Sequence, residues 1–281
     1  MKKIKLIADS TCDLSPELID KYDIEIIPLQ VNLDDKTYFD KVDIQPDELY
    51  AWSNKTGGVP KTSAASPEMV KNTFEKFADC DIIAFSIGSE MSSTYQIMHT
   101  FAQEIEGANI EVIDSANLST GISLQILFAA RLIEQGEKFE DVVAKTRSIC
   151  DKVRAGFIVE DVNWLHKGGR CSALAAFGAT ALKLRPTLAV VDGKIKVDKK
   201  VRGDIASATL KYAQGLEEGL KNAQVDVVFI THSGVSEEII ASVKAYVESL
   251  NVFKEIYITR AGCVVSSHCG AGTLGVLFIS K

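Results

Sequence analysis

Cys-x-x-Cys pairs are missing from this chain, although six cysteines lie at 12, 80, 150, 171, 263 and 269. None has zinc-type spacing with a histidine. In 281 residues the simplest expectation is free thiols in a reducing cytoplasm. A basic block is missing too. Lys and Arg number 31 against 38 Asp and Glu, a formal net charge of -7, and the densest basic cluster is only Lys199, Lys200 and Arg202. Nucleic-acid binding rests on many phosphate contacts, so a nucleic acid is not an expected partner. The short basic patch still suits an acidic protein or a phosphate. Long apolar runs are also absent. The strongest, Leu124 to Ile133, is interrupted by Gln125 and Arg131 and is too short to span a bilayer. The N-terminal run Ile4 to Ala8 stops at Asp9, which argues against a secretory signal. The expectation is a soluble, cytoplasmic protein.

Catalytic signatures are scarce. Gly270-Ala-Gly-Thr-Leu-Gly275 matches G-x-G-x-x-G by letter, but only six residues follow it. No helix, second strand and acidic residue can be built there, so the dinucleotide reading fails. Asp9-Ser-Thr-Cys-Asp13 places Thr11 where a D-x-D nucleophile loop needs Asp. No G-x-S-x-G elbow, Walker loop or H-E-x-x-H helix is present. No cofactor or metal is expected.

What the chain does contain is an α/β rhythm. Buried strand patterns at Lys5–Ala8, Ile24–Val31, Asp81–Ser86 and Ile110–Ile113 alternate with amphipathic stretches such as Pro67–Phe77 and Thr94–Glu104. Ser15-Pro16 reads as a helix start. This rhythm predicts a mostly parallel sheet covered on both faces. It changes near residue 160. Val190-Val-Asp-Gly-Lys-Ile195 reads as a hairpin turn, followed by one helix at Ile205–Asn222, a strand at Val225–Ile230, a helix at Ser236–Leu250 and strands at Glu255–Thr259 and Leu274–Ile279. The predicted architecture is two α/β lobes, 1–160 with a mostly parallel sheet and 161–281 with a mixed one.

Small polar residues follow several of these strands: Asp9-Ser-Thr11, Gly88-Ser89, Asp114-Ser115 and Thr231-His-Ser233. Ligands of parallel α/β sheets bind at the carboxyl ends of strands. Helix capping explains such residues equally well. Three loops stand out. Lys61-Thr-Ser-Ala-Ala-Ser-Pro67 has a helix-start signal at Ser66 that leaves Thr62 and Ser63 unexplained. Ile87-Gly-Ser-Glu-Met-Ser-Ser-Thr-Tyr95 gathers hydroxyls at a helix start, where an anion such as a carboxylate binds. Leu165-His-Lys-Gly-Gly-Arg-Cys-Ser172 offers Arg170, which suits either a carboxylate or phosphate or a structural ion pair. His268 lies in Ser266-Ser-His-Cys-Gly-Ala-Gly272, among small residues that leave it little cover.

In order, these motifs resemble the DegV family, which includes the fatty-acid-binding subunits (FakB) of bacterial fatty acid kinases. The resemblance covers about residues 3–280. It rests on Asp9-Ser-Thr-x-Asp13-Leu, Thr62-Ser63, Ser89-x-x-Ser92-x-Thr94-Tyr95, Asp114-Ser115 with Ser119, Leu165-x-x-Gly-Gly-Arg170, and His268 before Gly270-x-Gly272. It implies a ligand held between two lobes. The ligand is a long-chain fatty acid of the palmitate or oleate class, its carboxylate on Thr62 with neighbouring Ser63, on a serine of the Ser92–Ser93 pair, and on His268. Ser119, Arg170, Arg202 and Gly270 would support the site or face a partner, namely a separate fatty acid kinase catalytic subunit. The usual family text Ser-Gly-Thr-Tyr reads Ser92-Ser93-Thr94-Tyr95 here, so Ser93 replaces glycine. Ala64-Ala65 replaces a frequent Gln-Pro, and Gly270-Ala-Gly272 replaces Gly-Pro-Gly. The resemblance implies a non-catalytic lipid carrier. The alternative is an acyl hydrolase or transferase using Ser92 or Ser93 with His268, and a third reading is an interaction protein whose polar loops are only caps.

Overall fold

The computed structural model describes residues 2–171 and 184–281. Ser172, the last residue of the Arg170 loop motif, lies outside the described residues. The first half runs β1 (Ile4–Asp9), a 3₁₀ turn (Ser10–Cys12), α1 (Pro16–Lys21), β2 (Glu25–Ile27), β3 (Gln30–Leu33), β4 (Lys36–Phe39), α2 (Pro46–Thr56), β5 (Lys61–Ser63), α3 (Pro67–Lys76), β6 (Asp81–Ser86), α4 (Thr94–Glu104), β7 (Asn109–Asp114), α5 (Thr120–Glu134) and α6 (Phe139–Arg147). Four strands form a parallel sheet in the order β2-β1-β6-β7. Ile82, Ile83, Ala84 and Phe85 of β6 are buried on both faces, which is why this strand reads as an unbroken apolar run. The single strand expected over Ile24–Val31 is instead two strands in two sheets. Pro28 has no N–H to donate and separates them. The second piece, β3, joins β4 and β5 in a small antiparallel sheet that aligns Val31 with Thr62.

The remainder runs β8 (Val153–Ile158), α7 (Val162–Lys167), β9 (Leu184–Val191), β10 (Lys194–Arg202), α8 (Ile205–Gln214), α9 (Glu217–Lys221), β11 (Ala223–Ser233), α10 (Glu237–Ser249), β12 (Glu255–Arg260), α11 (Cys263–Cys269) and β13 (Thr273–Ser280). Its sheet has the order β10-β9-β8-β13-β11-β12 and is mixed, with only β11 and β12 parallel. The Asp-Gly turn closes the β9–β10 hairpin with positive φ at Asp192 and Gly193. The single helix expected over Ile205–Asn222 is broken into α8 and α9 at Gly215, a weak helix former.

The apolar helix α5 joins the two sheets. Ile122, Leu124, Ile126, Leu127, Ala129 and Ala130 are buried in a core shared with β1, β6, β8, β11 and β13. Its length and apolarity serve the space between two sheets. No helix among the described residues is long and apolar enough to cross a membrane.

Candidate functional site

Four segments meet at one cleft: the end of β5, the loop between β6 and α4, the loop after α7, and α11. Its wall carries Thr62 and Ser63, then Ile87, Met91 and Ser92, then Arg170, then Val264, Val265, His268 and Cys269. The cleft encloses about 540 Å³, its open mouth included. A second space of about 360 Å³, its open side included, shares Leu118, Val265 and Cys269 with it and reaches Phe157, Gly275 and Leu277 in the mixed sheet. The wall of this inner cavity is almost wholly apolar, although hydroxyl residues line it. The lining hydroxyls are taken up by the protein: Ser119 donates to Asp13 and Thr273 to the Cys269 carbonyl, while Thr231 and Ser233 bond to other hydroxyls. Thr231 Oγ1 meets Thr120 Oγ1 at 2.6 Å and Thr259 Oγ1 at 2.9 Å, and Ser233 Oγ meets Ser266 Oγ at 2.9 Å.

At the mouth, Thr62 Oγ1 and His268 Nε2 share a hydrogen bond of 2.8 Å. These residues are far apart in sequence; the β3–β5 pairing places the first and α11 the second. Burial, with the Arg170 guanidinium nearby, pulls the imidazole down to about 4, so it is neutral at physiological pH. Its Nδ1 is buried against the Gly168 backbone, which favours the protonated ring, but no partner there meets full hydrogen-bond geometry. Gly168 has to be glycine, since a Cβ there would come within 2.4 Å of His268 Nδ1.

Ser92 Oγ bonds to Thr94 Oγ1 at 2.9 Å and accepts from the Thr94 N–H at 3.2 Å. Thr94 Oγ1 in turn accepts from the Ala65 N–H at 3.3 Å. Buried Thr94 therefore ties the Ser92 loop to the segment just after β5, the strand that carries Thr62. Thr62, Ser63, Ser92, Arg170 and His268 are brought to one cleft. Ser63 lies at its rim, accepting from Asn32 Nδ2 at 3.1 Å. Arg170 is exposed beside it and donates to the Gly168 carbonyl at 2.8 Å. Ser93 is an exposed residue before α4 and lies outside the cleft lining. Arg202 is exposed at the end of β10, also outside the lining. Ser119 lines the inner cavity but donates to Asp13 Oδ2 at 2.6 Å. Gly270 ends α11 with φ 75°, pressed against Trp164.

A serine nucleophile would need His268 within hydrogen-bond reach and a third group orienting that ring. Ser92 bonds to Thr94, and His268 Nε2 faces Thr62. Among the described residues no group of three or more His, Cys, Asp and Glu could hold a metal ion. Ser66 and Ser15 occupy helix N-cap positions, but neither side chain makes a capping bond. Thr94 and Gly168 carry no assigned role in the sequence although both stand inside its motifs, because their parts in the site are defined by contacts across the fold.

Fold and cleft together define an α/β protein of two main sheets and a small third one, with an amphiphilic cleft, polar at its mouth and apolar within. The chain belongs to the DegV family, whose model matches residues 3–281. A DegV domain-containing protein of Clostridium acetobutylicum is 32% identical over 284 residues, covering 100% of both chains. Among solved structures, a fatty-acid-binding DegV family protein from Thermus thermophilus superposes with a TM-score of 0.90 at 27% identity, covering 100% of both chains. A stearic-acid-binding protein from Eubacterium ventriosum gives 0.85 at 28% identity, covering 99% of this chain and 98% of its own.

Proposed function

We propose that the chain binds one long-chain fatty acid, holding the carboxylate at Thr62, Ser92 and His268 with Ser63 at the rim and passing the tail into the inner cavity. The observation that carries this is the Thr62–His268 pair at the mouth of a cleft that adjoins an apolar cavity. A carboxylate buried without partners is costly, and hydroxyls with a neutral imidazole satisfy it without a buried lysine. The tail supplies affinity: about fourteen methylenes at roughly 0.8 kcal/mol each offer on the order of 11 kcal/mol before ordering costs. The structural neighbours that bind fatty acids support the reading. In it the protein is a cytoplasmic, non-catalytic carrier with lobes 1–160 and 161–281 as the two jaws. It takes its ligand by transient contact with a membrane surface or from another protein, and presents it to a fatty acid kinase catalytic subunit that meets exposed Arg170 and Arg202.

Calorimetric titration of palmitate and oleate into delipidated protein tests the binding. One site per chain is expected, with affinity falling at least about tenfold in Thr62→Ala, the scale of one lost hydrogen bond to a charged group. If neither acid binds, the proposal fails.

A further inference from the structure

The face of α11 that carries His268 is set by contacts at its other end. Asp13 Oδ1 accepts from the Gly262 N–H at 2.7 Å, and Asp40 Oδ1 accepts from the Cys263 N–H at 2.6 Å. Both carboxylates come from loops of the first half of the chain, and both are buried. Each is fixed from its other oxygen, Asp13 by Ser119 Oγ at 2.6 Å and Asp40 by Ser10 Oγ at 2.8 Å. Lys41 Nζ reaches Asp13 Oδ1 at 3.1 Å and offsets part of the charge. The fit leaves no slack, because a Cβ on Gly262 would lie 2.6 Å from Lys41 Cε and 2.8 Å from Asp40 Oδ1. Independently, Asp13, Lys41 and Ser119 have φ of 55°, 62° and 52°. Left-handed backbone is unfavourable for such residues and persists where the surroundings over-determine it. Here three strained residues meet in one network around one helix end.

We infer that Asp13 and Asp40 are positioning residues that clamp the start of α11 and so hold His268 against Thr62. His268 lies five residues beyond Cys263, about 7.5 Å along a helix rising 1.5 Å per residue. A short helix is stiff over that distance. Releasing its first two N–H groups therefore lets the far end tilt away from β5. The inference rests on the fatty-acid reading for its consequence in binding, but the clamp itself is tested without ligand.

Asp40→Ala in the full-length, delipidated chain is compared with Val247→Ala, a buried change in α10 remote from the cleft, whose thermal midpoint serves as the stability reference. Ring-nitrogen NMR follows the titration of His268, and calorimetry follows palmitate. In Asp40→Ala the ring should leave its buried position and titrate nearer the ordinary imidazole range, whereas simple loss of a nearby negative charge would shift it the other way. Palmitate affinity should fall about tenfold, the scale of losing a hydrogen bond to a charged group. In a His268→Ala background Asp40→Ala should add nothing. Asp40→Asn, which keeps the Oδ1 acceptor, should restore most of both. If Asp40→Ala does not fold, Ser119→Ala, which removes the outer partner of Asp13 but also lines the inner cavity, carries the titration expectation alone, at smaller size. A His268 titration that is unchanged or lowered, a shift matched by Val247→Ala, or additive losses in the double variant would overturn the inference. If palmitate binds no variant and not the wild type, the fatty-acid reading fails while the titration still decides the clamp.

Discussion

His268 at the cleft mouth is neutral, and burial makes it so. An imidazole that resists protonation is a donor and acceptor rather than a fixed charge, which suits the carboxylate proposed for this cleft. The pH consequence has a definite sign. Between its ordinary 6.5 and about 4 the unfolded chain takes a proton that folded His268 refuses, so this residue's contribution to stability is present above 6.5 and is lost as pH falls through that window. Its size is at most about 3 kcal/mol. Denaturant melts from pH 7 to 4 should therefore show a flatter slope in His268→Ala than in the wild type, and an equal slope would contradict the assignment. The same variant should lose palmitate affinity by tenfold or so while its thermal midpoint at pH 7 shifts only slightly, as expected for a group at a cleft mouth rather than in the core. At this scale Thr62 and His268 could be singled out from sequence, because hydroxyls beyond any capping position and a histidine among glycines are locally odd. Asp13 could not be given its role, since its partner Gly262 lies 249 residues away.

Elements differ in how far their sequence shows them. β6 and α4 carry their own signals, a continuous apolar run and an amphipathic repeat, and both form over the predicted residues. The small sheet of β3, β4 and β5 does not, because strands of three or four residues exist only through pairing that brings distant segments together. Helix α11 was hidden for another reason. It is seven residues long and buried almost all round, so it has no polar face to reveal a period. Two substitutions separate element packing from site geometry. Leu127→Ala in α5 should cost about 2–5 kcal/mol of stability through the cavity it leaves, with palmitate affinity nearly unchanged, because Leu127 lies outside the cleft. Gly168→Ala should do the reverse. Its new Cβ pushes on His268 Nδ1, so affinity should drop more than the melting temperature. Parallel calorimetry and thermal melts of the two variants check both expectations, and a shared pattern would mean that packing and site are not separable.

Across the whole molecule, α5 makes one body of two sheets by burying residues against both. The change from parallel to mixed sheet was readable in the loss of βα alternation. Sheet membership itself changes at Val153, a few residues before the visible change of rhythm. A cavity is not written in any local pattern, because it is space left between elements. The inner cavity's apolar wall depends in part on Thr231 turning its hydroxyl to Thr120 and Thr259, and only the fold brings the three together. In the proposed reading this space holds an acyl tail whose carboxylate sits at Thr62, Ser92 and His268. Native mass spectrometry of the purified, untreated protein tests it most directly. One added mass per chain is expected in the range of a long-chain fatty acid, released on denaturation and strongly depleted in Thr62→Ala and His268→Ala. A bare chain that stays bare after incubation with palmitate or oleate would contradict it.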